Sequence, residues 1–219
     1  RLVRGVRQSG EQLHALIGDI LDVSRIDAGR LDLVGDDVTP RELGEASEAA
    51  IAPAARAKGL AFEVQYEGDA DKALRADKAR ILQMIGIYLR NAVRFTETGG
   101  VTLLLCVSEE GERVRLSARV RDTGCGVPES AREQLFDAFS ASGMDPAIRQ
   151  AGTGLGLTLV DRLARLMGGR AGYEPAETGS VFDFELLTKA SARSDRYSAG
   201  ETYNPSARRL RVLVADSDN

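Results

Sequence analysis

The feature that most constrains the fold is the run from Arg113 to Asp122. Val114, Leu116, Ala118 and Val120 fall on one face, and Arg113, Arg115, Ser117, Arg119 and Arg121 on the other. Strict alternation is the pattern of a half-buried strand, so this chain must supply a sheet with one apolar and one solvated face. Asp122 then falls on the apolar face, where a carboxylate is costly unless N–H groups point at it. Thr123-Gly124-Cys125-Gly126 follows. Two readings fit: a strand-end Asp that caps the next turn, or an acceptor for an exocyclic amino group such as that of adenine, with two glycines letting a flat ligand lie against the backbone.

The rest of the chain supplies elements of both kinds. Leu31 to Val34 is expected as a short strand, and Pro40 to Lys58 as a helix with Thr39 as N-cap. A strand at Leu60 to Tyr66 and a long amphipathic helix at Asp77 to Phe95 follow. Val101 to Val107 pairs with Arg113 to Asp122 around Glu109-Glu110-Gly111. A helix after Pro128, a helix at Gly154 to Met167 and strands at Arg170 to Tyr173 and Val181 to Leu187 complete the set. Strands and helices do not alternate regularly, so the expected class is α+β: a two-layer sandwich with a mixed or antiparallel sheet, not a doubly wound fold.

At the N-terminus Leu2, Val6, Ser9, Leu13, Leu16, Ile20 and Val23 step by four and three, a heptad seam broken once by serine. A lone helix of this length is marginal in water. It is either a surface helix of the following domain or half of a helical hairpin in a dimeric bundle. Residues 189–209 contain no Val, Ile, Leu, Met or Phe and form a linker. Leu210 to Ala215 then resumes as a strand that resembles the start of another domain.

Composition narrows the function. With 29 basic against 33 acidic residues the net charge is -4, which argues against nucleic-acid binding. No window approaches a membrane span, and the start lacks a signal-peptide pattern. Two cysteines and one histidine exclude a disulfide framework and a conventional zinc site, so a reducing cytoplasm fits best. No Gly-Lys dipeptide occurs, which excludes a Walker-type loop. Glycine is in excess: 23 are present where about 15 would be ordinary, and 13 lie between Gly99 and Gly179.

Two further groups carry chemistry. Gly152-Thr153-Gly154-Leu155-Gly156-Leu157 opens a helix, whose first N–H groups suit phosphate. Asn91 lies on the otherwise apolar stripe of Met84 and Ile87. It is either a buried amide satisfied by backbone or an oxygen ligand for magnesium. Arg94, one turn on, can meet a phosphate.

In chain order, Asn91-x-x-Arg94-Phe95-Thr96, Asp122-x-Gly124-x-Gly126, Phe136-x-x-Phe139 and the 152–156 run together resemble the ATP-binding catalytic domain of sensor histidine kinases. That domain belongs to the gyrase, Hsp90, histidine kinase and MutL superfamily. The resemblance covers roughly residues 1–188. It implies a Bergerat-type fold, a mixed sheet covered by helices, with ATP and Mg2+ bound between helices and lid. Asn91 matches the magnesium-binding asparagine of the N-box. Asp122, Gly124 and Gly126 match the G1 box, Phe136 and Phe139 the F-box, and Gly152, Thr153, Gly154, Leu155 and Gly156 the G2 box.

Ser9 to Gly29 resembles the second helix of the dimerisation and histidine-phosphotransfer domain, implying a homodimer formed through this helix. The family's phosphoacceptor lies on the first helix in a Ser-His-Glu-type motif. His14 stands between Leu13 and Ala15 and lacks that context, so the phosphorylated histidine is expected outside this chain. Residues 210–219 resemble the first strand of a receiver domain. Asp216 fits the family's acidic pair, and Ser217 replaces its second acid.

The implied organisation is 1–30 partial phosphotransfer domain, 31–188 catalytic domain, 189–209 linker and 210–219 partial receiver. The implied protein is a cytoplasmic hybrid kinase, of a kind whose parent can be membrane-associated through a sensor region. One departure bears on activity. Ile87 stands where family members often carry a second asparagine and the ATP-hydrolysing relatives a glutamate base, and isoleucine cannot activate water. This argues against a true ATPase. The alternative is a pseudokinase that holds nucleotide and regulates a partner.

Overall fold

The computed structural model describes residues 17–138 and 154–191, together with Gly10. Residues 17–27 form a helix (α1). Then follow β1 (Asp36–Val38), α2 (Pro40–Ala57), β2 (Ala61–Glu67), β3 (Leu74–Ala76) and α3 (Lys78–Phe95). The long hairpin β4 (Gly100–Glu110) and β5 (Arg113–Asp122) comes next, with α4 (Glu129–Arg132), α5 (Gly156–Leu166), β6 (Arg170–Pro175) and β7 (Ser180–Ala190).

Local sequence explains where the helices begin. Thr39 Oγ accepts the Glu42 N–H at 3.1 Å, and Pro40 opens α2 without wasting a donor. Asp77 caps α3 by accepting the Arg80 N–H at 3.0 Å. Its other oxygen accepts the Val34 N–H at 2.9 Å. That bond explains one correction. Residues 31–35 carry no strand: Val34 gives its N–H to a helix cap instead of a ladder, and its side chain is 62% exposed. The strand begins two residues later, at Asp36.

The sheet is mixed, in the order β1-β3-β7-β5-β4-β2, with β6 also on β7. Only β2 and β4 run parallel; the other pairs are antiparallel. β5 lies between β4 and β7 along its whole length, with Asp122 opposite Val101 on one side and Ser180 on the other. Its inward residues Leu116, Ala118 and Val120 meet Ile81, Met84, Ile85 and Tyr88 of α3 and Leu159 and Leu163 of α5 in one core. Tyr88 is buried with its rings against Phe182 and Phe184, and its hydroxyl donates to the Asp183 carbonyl at 3.0 Å. The outward arginines remain exposed or half-exposed. The result is the expected two-layer sandwich, with helices on one face.

α1 lies against this domain. Val23 and Ile26 pack on the core, while Ile17, Ile20 and Leu21 are exposed. Asp22 accepts from Arg80 and Gln83, and Asp27 stands 3.6 Å from Arg162.

Candidate functional site

The site is built on one face of α3. Ile87, Asn91 and Phe95 are spaced by four, so they stack along that face. A Cβ added to Gly156 would lie 3.1 Å from Ile87 Cγ2. A Cβ added to Gly124 would lie 2.5 Å from the Phe95 carbonyl oxygen. Gly156 and Gly124 therefore approach α3 at the turns before and after Asn91. The Gly124 approach leaves no room for a side chain and the Gly156 approach leaves little; Asn91, half-buried, lies one turn from each contact.

Asp122 lies at the end of β5, 5% exposed. Its Oδ1 accepts the Gly124 N–H at 2.8 Å. Burial pushes its carboxyl above the ordinary value, and hydrogen bonds from the Gly124 and Ser180 backbones pull partly the other way. Asp122 thus caps the turn that follows it, as the first reading expects, and its carboxyl is buried. Gly126 and Gly154 take positive φ, 71° and 69°, as the turns out of the strand and into α5 require. Leu155 is buried beneath the start of α5.

Among the described residues no side chain caps α5, whereas Thr39 and Asp77 cap the other two long helices. Its first N–H groups are therefore not engaged by a side-chain cap, the state that suits an anionic group. Arg94 projects beside Phe95, its guanidinium 5.7 Å from the ring centre, and burial lowers its pKa. Phe136 is half-buried and packs on the core. Phe139, Gly152 and Thr153 lie outside the described residues, as do His14 and residues 210–219.

Four residues that sequence reasoning did not single out shape the site. Gly179 has φ 82°, and a Cβ there would fall 2.0 Å from the Asp122 carbonyl oxygen. Ser180, its neighbour, is buried opposite Asp122. Thr123 Oγ donates to the Thr98 carbonyl and accepts the Gly100 N–H, both at 3.0 Å, tying the loop after β5 to the turn before β4. Lys58 bonds the end of α3. The only local signal for any of these is the Thr-Gly-Ser turn at 178–180. The others depend on contacts far apart in sequence.

As for a metal, the described residues contain no cluster of three or more His, Cys, Asp or Glu able to hold an ion. A single amide oxygen at Asn91 fits magnesium, which keeps water and phosphate oxygens as its other ligands.

Comparison with known proteins agrees with this geometry. Residues 76–190 match the family described as histidine kinase-, DNA gyrase B-, and HSP90-like ATPase. The chain is 38% identical over 184 residues to the sensory/regulatory protein RpfC of Xanthomonas campestris, covering 83% of this chain and 25% of that one. It is 34% identical over 215 residues to the virulence sensor protein BvgS of Bordetella bronchiseptica, covering 95% of this chain and 17% of that one. The crystal structure of full-length ShkA in complex with AMPPNP superposes with a TM-score of 0.68 at 34% identity, covering 87% of this chain and 39% of that one. The chain thus spans about a quarter or less of the curated relatives' length. It belongs to the histidine kinase-, DNA gyrase B-, and HSP90-like ATPase family, as an ATP-binding catalytic region of the sensor histidine kinase type.

Proposed function

We propose that this chain binds Mg·ATP across the face of α3 and presents the γ-phosphate to a histidine on a separate helix. The observation that carries the reading is the buried Asp122 carboxylate, held at the end of a central strand by glycines whose side chains would strike it or its surroundings. Asp122 accepts the adenine amino group. Arg94 and the backbone N–H groups at the start of α5 meet the phosphates, and Asn91 supplies an oxygen for magnesium. The ion, when bound, neutralises phosphate charge. The contribution of this chain's own residues is positioning, with the base fixed by β5 and the phosphates by α3 and α5.

In the same reading, 1–30 is part of a dimerisation and phosphotransfer domain and 210–219 the start of a receiver; the catalytic domain, expected over 31–188, runs on to the end of β7 at Ala190, so the linker expected from 189 starts after that strand. The exposed Ile17, Ile20 and Leu21 supply an apolar stripe for a helical bundle in a homodimer. The partner receiver domain belongs to a hybrid kinase working in the cytoplasm. Among the described residues no helix is long and apolar enough to cross a membrane.

The test has two parts. Calorimetric titration should show Mg·ATP binding. γ-labelled ATP should then transfer acid-labile phosphate to a separately supplied first helix carrying a histidine, and not to His14 of this chain. Binding without transfer would favour the second reading, a nucleotide-holding regulatory module. The observation behind that reading is Ile87, buried beside Gly156 where the family resemblance implies a polar residue.

A further inference from the structure

We infer that Lys58 is a positioning residue for the nucleotide site, a strut that fixes the end of α3 and with it the spacing between Asn91 and Asp122. The inference rests on the nucleotide reading above. The Lys58 ammonium donates to the carbonyl of Val93 at 2.9 Å and to that of Arg94 at 2.8 Å. These are last-turn carbonyls, which the helix itself leaves without partners. A cation there also meets the negative end of the helix dipole.

The ammonium is delivered from a fixed point. Lys58 is the C-cap of α2, its own N–H bonded to the carbonyls of Ala54 and Ala55. Gly59 follows at φ 74°, and Leu60, buried, returns its N–H to the Ala55 carbonyl at 2.9 Å. A side chain rooted in that turn ties the ends of two helices together.

The next carbonyl along α3 belongs to Phe95. It accepts the Cys125 N–H at 3.4 Å and is the atom that a Gly124 Cβ would strike. The last turn of α3 is therefore the surface on which the loop after Asp122 rests. The Asp122 backbone is held by β4 and β7, not by this turn. Asn91 and Arg94 depend on it. Releasing the Val93 and Arg94 carbonyls lets that turn shift against β5, so a ligand spanning Asp122 and Asn91 loses affinity while one touching Asp122 alone does not.

The experiment compares the chain with its Lys58→Met, Lys58→Arg and Thr39→Ala variants. Thr39→Ala removes the α2 N-cap, far from this turn, and serves as a stability control. Mg·ATP is titrated by calorimetry and adenosine by NMR, at a temperature where every variant is folded. The expected result is an Mg·ATP affinity about fivefold lower in Lys58→Met, the scale of one cation's effect at a helix end. Adenosine affinity should be unchanged, and Lys58→Arg, which keeps charged donors, should restore Mg·ATP binding. Equal loss of both ligands, the same loss in Thr39→Ala, or no loss in Lys58→Met would each overturn the inference. A wild-type chain that binds neither ligand would overturn the nucleotide reading itself, and the inference with it.

Discussion

Asp22 and Arg80 form a partly buried ion pair at 2.8 Å between segments 58 residues apart. Gln83 donates to the same carboxylate oxygen at 2.9 Å and accepts from Arg80 at 2.7 Å. Three side chains thus fasten α1 to the first turns of α3, the helix that carries Asn91. Asp22→Ala leaves Arg80 and Gln83 without this partner, at a cost of about 1–3 kcal/mol. Hydrogen exchange over residues 17–27 should accelerate while β4 and β5 keep their protection. Unchanged exchange in α1 would show that the apolar contacts of Val23 and Ile26 hold it alone.

Asp122→Asn should act in opposite directions on binding and on stability. Replacing an acceptor-only group with an amide that also donates weakens the adenine contact, by about ten- to a hundredfold. The free protein should become more stable at neutral pH. Burial raises the Asp122 carboxyl in the folded state, so its protonated form is favoured there. The stability it contributes is fully present below the ordinary carboxylate value of 3.8 and is lost as pH rises through the elevated one. The melting advantage of the variant should therefore close as pH falls below that value. An unchanged ATP affinity in the folded variant would remove Asp122 from the site.

Asn91→Ala should reduce ATP affinity in magnesium and leave affinity in chelator unaltered, because the amide is assigned to the ion and not to the base. Equal losses under both conditions would make Asn91 a structural amide of the α3 face.

How far these positions were legible in the sequence depended on the range of the contact involved. β4, β5 and α3 were readable because each repeats its own period over ten residues or more. β1 and β3 were not. They are three-residue strands, and β3 exists because Leu74 and Arg75 pair with Ala190 and Lys189 at the far end of β7. Leu31 to Val34 misled for the same reason: its apolar residues suit a strand, but Asp77 takes the Val34 N–H. Among the candidate site residues, Asp122, Asn91 and Gly156 are marked by the order of short motifs. Gly179 and Lys58 act across 57 and 35 residues respectively, on the Asp122 carbonyl and the Val93 carbonyl, and no local pattern marks them.

Gly179→Ala tests the long-range part. Alanine at φ 82° costs about 1–2 kcal/mol from backbone conformation alone. Its methyl group would also fall 2.0 Å from the Asp122 carbonyl oxygen. The expected outcome is a loss of about 3 kcal/mol or more in denaturant unfolding, together with weakened adenosine binding. A variant of wild-type stability would mean that the turn before β7 relaxes without moving Asp122.

The strand order has a consequence for how nucleotide leaves. Asp122 ends a strand laddered on both sides, and central strands are the part of a domain that opens at greatest cost. In the proposed function the phosphates face instead a helix end and the first turn of α5, and helix ends open at lower cost than central strands. The base end of the site is thus its slowest part and the phosphate end its quickest. Product should let go tail first, with the adenine ring the last group to leave.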